Sequence, residues 1–174
     1  MNEGTVVRVY SDFADVALDG APGAAVVIVT ARMRGRLAQR AGTDKNVLAV
    51  GDRVILENPG HEWIVEDIYP RRTRFSRRHP HHSHLEQVIA ANVDQVLIVV
   101  SAERPAFRPD IVDLHLVAAS AAGLPALILL TKCDLVGPGR AEEIAKRYRK
   151  LKLPILRTGT DDDAGLQRLR KDDS

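Results

Sequence analysis
The residues best suited to chemistry in this 174-residue chain are Thr131-Lys132-Cys133-Asp134, directly after the apolar run Leu127-Ile128-Leu129-Leu130. A carboxylate at Asp134 can accept two hydrogen bonds side by side, from the N1 and exocyclic N2 protons of guanine. Adenine lacks that donor pair, and a site built to pair a ligand's polar groups rejects analogues that leave its own groups unpaired. The alkyl stem of Lys132 can lie over the base, and Leu135 is expected to anchor the turn in the core. The common form of such a motif begins with Asn. Thr131 supplies a shorter hydroxyl, which still hydrogen-bonds but is not expected to tie neighbouring loops as a carboxamide does. The plain structural alternative is a polar turn after a buried strand, with Asp134 capping it locally.

A second group of residues suits a polyanion. Between Arg71 and His84 stand five arginines (Arg71, Arg72, Arg74, Arg77, Arg78), four histidines and no acid, inside a chain of net charge +2. Such a block favours a nucleic-acid partner, the alternative being a solvated connector. Arg32, Arg34 and Arg36 alternate, so on one strand they would share a face. Aromatic content is only 4%, so phosphate contact is expected to dominate over base stacking there; a plain charged strand face is the alternative. His79, His81, His82 and His84 have no cysteine or acid at a structural zinc spacing and read as linker residues, not as a metal site. Trp63 and Phe107 read as core fillers. Cys133 is the only cysteine, which excludes an internal disulfide, and nothing around it marks a nucleophile. No catalytic residue is assigned.

The elements that must position these groups fall into two styles. Up to about residue 70, Thr5–Tyr10, Ala24–Thr30, Arg53–Glu57 and Trp63–Ile68 read as short strands separated by Gly, Pro, Asn and Asp, which suggests a small closed barrel. No helix is expected before residue 80. Later, Val96–Val100 and Ala126–Leu130 are continuous apolar runs, as in strands buried on both faces. Helices are expected at about 109–122, with Ile111, Leu114, Ala118 and Ala122 on one face, and at about 140–151, through Ile144, Tyr148 and Leu151. Leu153–Leu156 reads as a third strand, completing a β-α-β-α-β unit of an open α/β sheet. The longest apolar run, Val96–Val100, is too short to span a bilayer, and Met1-Asn2-Glu3-Gly4 shows no signal pattern. A cytoplasmic protein with no membrane partner is expected.

In order and spacing, several segments resemble the RsgA/YjeQ family of small-subunit-dependent GTPases. They are Arg34-Gly35-Arg36-Leu37, Val50-Gly51-Asp52-Arg53-Val54, Pro70-Arg71-Arg72, Ile89-Ala90-Ala91-Asn92-Val93-Asp94-Gln95, Pro105-Ala106-Phe107 leading to Ile111-Val112-Asp113, and Thr131-Lys132-Cys133-Asp134-Leu135. The resemblance implies a β plus α/β chain. An S1-like OB-fold RNA-binding barrel (1–70) and a basic linker (71–88) would precede a partial, circularly permuted, doubly wound GTPase domain (89–174). It implies GTP or GDP as ligand, the small ribosomal subunit and its rRNA as partners, and a role in small-subunit maturation. Where the family supports guanine with a Ser-Ala backbone, this chain has Thr158-Gly159-Thr160. Gly159 and Thr160 therefore join Thr131, Lys132 and Asp134 as nucleotide-binding positions.

No Gly-x-x-x-x-Gly-Lys-Ser/Thr occurs, and Ser174 falls about where the strand before that loop should begin. The matches to Asp-x-x-Gly at Asp134–Gly137 and Asp162–Gly165 read as chance. Hydrolysis by this chain alone is not expected, nucleotide should bind weakly or not at all, and Mg and Zn are expected only in full-length family members. Without a strand to flank Val96–Val100, either edge-to-edge self-association or poor order after residue 90 is expected. The competing reading is a nucleotide-independent RNA- or ribosome-binding module.

Overall fold
The computed structural model describes residues 1–38, 47–79, 82–160 and 167, with only the backbone at 36, 38, 77–79 and 82–86. The chain forms two compact units, Met1–Val93 and Asp94–Ser174.

In the first unit, β1 (Asn2–Val9), β2 (Phe13–Leu18), β3 (Ile28–Met33), β4 (Arg53–Glu57) and β5 (Trp63–Ile68) close a barrel in the order β1-β2-β3-β5-β4. β1 pairs antiparallel with both β2 and β4, and β3 pairs parallel with β5. Alternation puts Val6, Ala14, Val16, Ala31, Val54, Leu56 and Val65 inside, all 0–1% exposed, and Trp63 packs against this core. β3 starts later than the apolar run predicts, because Ala31 is the small residue that fits the interior while Val26 and Val27 are 73% and 55% exposed. A four-residue helix, α1 (Gly35–Ala38), follows β3 and buries Leu37. The presumed strand through Arg32, Arg34 and Arg36 therefore ends at Met33.

The segment read as a basic linker contains β6 (Arg74–His79) and β7 (His82–Ala91), an antiparallel ribbon. Charge concealed it. A two-stranded ribbon alone is marginal in water, so this one depends on what holds it rather than on an apolar face of its own. It is fixed to the barrel at one end. Ala91 N–H donates to Val50 O (2.8 Å), Asn92 Nδ2 donates to Gly51 O (2.8 Å), and Val88 and Ala91 pack on Ala49. Gly51 has φ +89°, and a Cβ there would run into the Ala91 carbonyl.

The second unit is a parallel sheet, β10-β9-β8, made of β8 (Val96–Ser101), β9 (Ala126–Thr131) and β10 (Ile155–Arg157), with helices α2 (Pro109–Ala121) and α3 (Pro138–Arg149). Residues 94–160 are thus regularly folded. Ile98, Val112, Ile128, Leu130, Ile144 and Tyr148 form its core, with Phe107 edge-on to Tyr148 at 6.3 Å. The face of α2 differs from the predicted one. Val112 and Ala119 are buried, whereas Ile111, Leu114 and Val117 are 41%, 67% and 68% exposed. On α3, Ile144 and Tyr148 are buried as the spacing predicts, but Leu151 lies beyond the helix and is 62% exposed. Among the described residues, no helix is long and apolar enough to cross a membrane.

Candidate nucleotide site and cationic surfaces
β9 is the middle strand of the sheet, and its carboxyl end is where open α/β sheets hold ligands. Thr131 ends it. Its hydroxyl donates to Val100 O (3.1 Å) and its carbonyl accepts from Ala102 N–H (2.9 Å), so Thr131 does fasten its neighbour, through strand β8. Lys132 then takes the left-handed conformation (φ 55°, ψ 37°), turning the chain into the 3₁₀ turn Cys133–Leu135. The Lys132 ammonium donates to Arg104 O (2.5 Å), which carries its stem towards the loop after β8. Cys133 N–H donates to Thr158 O (3.1 Å), and Thr158 N–H to Leu130 O (2.9 Å). Leu135 does not anchor this turn. It is 46% exposed, and Cys133 and Val136 contact the core instead.

The carboxylate of Asp134 is placed from the β10 side. Thr160 donates to it twice, from its N–H to Oδ1 (3.0 Å) and from its hydroxyl to Oδ2 (3.3 Å). These hydrogen bonds, the backbone one foremost, hold its pKa below the usual carboxylate range. A Cβ on Gly159 would stand 2.7 Å from Oδ1 and 3.2 Å from the Asp134 nitrogen, so a side chain there would displace the carboxylate from this position. A carboxylate has about four acceptor sites. The Asp134 N–H contributes a third bond, and the exposed carboxylate keeps acceptor capacity that a ligand can reach. Thr131, Lys132, Asp134, Gly159 and Thr160 therefore meet at one sheet end. The carbonyl of Arg104 and the backbone of Thr158 belong to the same constellation. They were missed because each acts through its main chain, which carries no residue-type signal.

Comparison with known proteins decides the lineage. The family model of the RsgA GTPase matches residues 68–172. The chain belongs to the RsgA GTPase family. It is 39% identical over 145 residues to the small ribosomal subunit biogenesis GTPase RsgA of Gemmatimonas aurantiaca, covering 81% of this chain and 47% of that protein. To the protein of the same name from Shewanella oneidensis it is 32% identical, covering 96% of this chain and 46% of the relative. The chain thus spans about half the length of the curated relatives it matches. The crystal structure of YloQ, a circularly permuted GTPase, superposes with a TM-score of 0.67 at 25% identity, over 97% of this chain and 55% of that one. YjeQ from Thermotoga maritima superposes with a TM-score of 0.71 at 21% identity, over 98% and 56%, and speaks for the fold alone.

In this RsgA-family chain the cationic residues have unequal fates. Arg71 is turned inward: its side chain is 16% exposed and forks onto the fully buried Asp52, with Nε to Oδ1 at 2.8 Å and a terminal nitrogen to Oδ2 at 2.9 Å. It also donates to Val47 O (3.1 Å), while Asp52 accepts from Ala49 N–H (2.8 Å). Arg71 is therefore a structural clamp, not a surface contact. Arg34 is partly buried between Glu66 (2.7 Å) and Glu57 (3.4 Å). Arg32 is exposed, 3.9 Å from Glu62, and stands cross-strand from Phe13, itself 41% exposed. An aromatic thus does accompany it, brought there by pairing across a turn. Arg72 and Arg74 are exposed. The side chains of Arg36, Arg77, Arg78 and the four histidines lie outside the described residues.

Among the described residues no group of three His, Cys, Asp or Glu could hold a metal ion. The donor set for Mg²⁺ in a GTPase, a phosphate-loop hydroxyl with a switch carboxylate, has no match in these residues.

Proposed function
We propose that this chain is the guanine-recognising and RNA-binding part of a small-ribosomal-subunit maturation GTPase, a cytoplasmic factor. The observation that carries this reading is Asp134, an exposed carboxylate fixed by Thr160 at the end of the central strand. The N1 and N2 protons of guanine bond to it, and the Lys132 stem covers the base. The Thr131 hydroxyl keeps the strand end in register by its bond to Val100. GTP and GDP are thus the ligands assigned here, held by their base. No hydrolytic step is assigned to these residues, and no resident metal.

On the RNA side, Arg32 beside Phe13 supplies the barrel contact, joined by the exposed Arg72 and Arg74. Together they would meet phosphates, with one aromatic face for a base. The partner is the small ribosomal subunit through its rRNA. The RNA-binding module on this reading is barrel plus ribbon, and the guanine-binding module is the α/β unit. The edge of β8 that pairs with no described strand, next to Leu97 and Val99 at 41% and 58% exposed, favours self-association of the chain.

Titration with fluorescent GDP tests the central point. Wild-type binding should be lost in Asp134→Ala. Asp134→Asn should favour xanthosine diphosphate, whose C2 carbonyl accepts from an amide where guanine donates. Equal binding by wild type and Asp134→Ala would sink the reading, and no binding by any variant would support the nucleotide-independent RNA module.

A further inference from the structure
Helix α3 carries a charge pattern that neither the core nor the nucleotide site uses. One face buries Ala141, Ile144, Ala145 and Tyr148. From Pro138 to Lys152 the chain has six Lys and Arg against two Glu. Both glutamates are occupied: Glu142 by Arg149 and Arg157 (2.9 Å each), and Glu143 by Arg140 (2.9 Å). Arg147 is drawn to Asp113 (3.1 Å) and lies 5.7 Å from the Tyr148 ring centre. Lys146, Lys150 and Lys152 are exposed and form no ion pair among the described residues. Lys146 and Lys150, four apart, share one side of the helix. They open with Phe107 and Leu151 onto a groove of about 720 Å³.

We propose that this face of α3 docks on the sugar–phosphate backbone of structured RNA, giving the α/β unit an RNA contact of its own. The inference rests on the reading of the chain as an rRNA-binding factor. Charge complementarity selects the partner. Lysine is a hydrated point charge suited to phosphates without fixed geometry, and it is depleted in the cores of protein–protein interfaces. An anionic membrane fits poorly. Helices that lie in a bilayer surface insert an apolar face, and that of α3 is already spent on Ile144 and Tyr148. The rise between Lys146 and Lys150 is about 6 Å, one turn, which lets the two ammonium groups meet neighbouring phosphates.

The full chain is assayed by fluorescence anisotropy with a labelled RNA duplex of about 16 base pairs, and by co-sedimentation with purified small ribosomal subunits. Lys146→Glu/Lys150→Glu should weaken both at least about tenfold, and should flatten the slope of log affinity against log salt by about 2. Lys146→Arg/Lys150→Arg should bind as wild type, and Lys146→Gln/Lys150→Gln should fall between, a graded response that loss of folding would not produce. Unchanged binding by the Glu variant overturns the proposal. If Arg32→Glu/Arg72→Glu still loses binding in that case, the rRNA reading stands without α3. Wild type that binds neither RNA nor subunits ends both. Anionic vesicles or polyglutamate bound as tightly, and with the same dependence on Lys146 and Lys150, would overturn the assignment to RNA.

Discussion
At Asp134 the proton affinity follows from the hydrogen bonds its carboxylate accepts. The Thr160 N–H foremost, then the N–H of Asp134 itself and less so the Thr160 hydroxyl, favour the charged carboxylate, so its pKa in the folded chain lies below the ordinary 3.8. A group depressed in this way contributes stability above its unfolded pKa and loses it as pH falls through the folded one. The turn, and with it the guanine binding proposed for it, should therefore be level from about pH 5 to 8 and fail only in stronger acid. Following the Thr160 amide resonance against pH checks this; a midpoint above 3.8 would contradict it. The buried pair Asp52–Arg71 is the second residue-scale test. Asp52→Ala leaves a guanidinium and the Ala49 N–H without their partner, and should cost about 3–5 kcal/mol in urea unfolding. Asp52→Leu with Arg71→Met should recover most of that loss. The place of Asp134 was legible because it directly follows an apolar run that forms the central strand. Arg71 was misread, since nothing in a run of arginines marks which one has a buried carboxylate waiting nineteen residues earlier in the chain.

Periodicity served the elements unevenly. α2 lies close to where its proline and glycine put it and α3 close to where its apolar spacing does, whereas β2 (Phe13–Leu18) was not read as a strand. The ribbon escaped notice because its strands are held by backbone pairing and by one anchored end, neither of which needs an apolar pattern. That anchor makes its own prediction. Gly51→Ala would strain a φ of +89° and push a methyl into the Ala91 carbonyl, loosening Ala91 N–H from Val50 O. A loss of about 2 kcal/mol is expected, and hydrogen exchange should speed up at Ala91 while the β1–β2 amides stay protected. The face of α2 was misjudged for a simpler reason. Its sequence offers apolar residues all round, so that periodicity alone does not choose between Val112 and Leu114.

For the molecule as a whole, the chain divides into two compact units, Met1–Val93 and Asp94–Ser174. The three-stranded sheet leaves β8 at its edge among the described strands. Leu97 and Val99 alternate with the buried Ile98 and so share the opposite face. Leu97→Lys with Val99→Lys should shift the chain towards monomer in sedimentation velocity, with GDP binding unchanged. An unaltered size distribution would place any self-association elsewhere. The closed barrel also constrains events in time. Its first strand, Asn2–Val9, lies between β2 and β4, and the ring shuts only when β5, ending at Ile68, joins β3. During synthesis at about 5–20 residues per second, the earliest strand must wait several seconds with one side unmatched. A nascent chain of this kind has reason to stay close to a chaperone until its fifth strand has emerged.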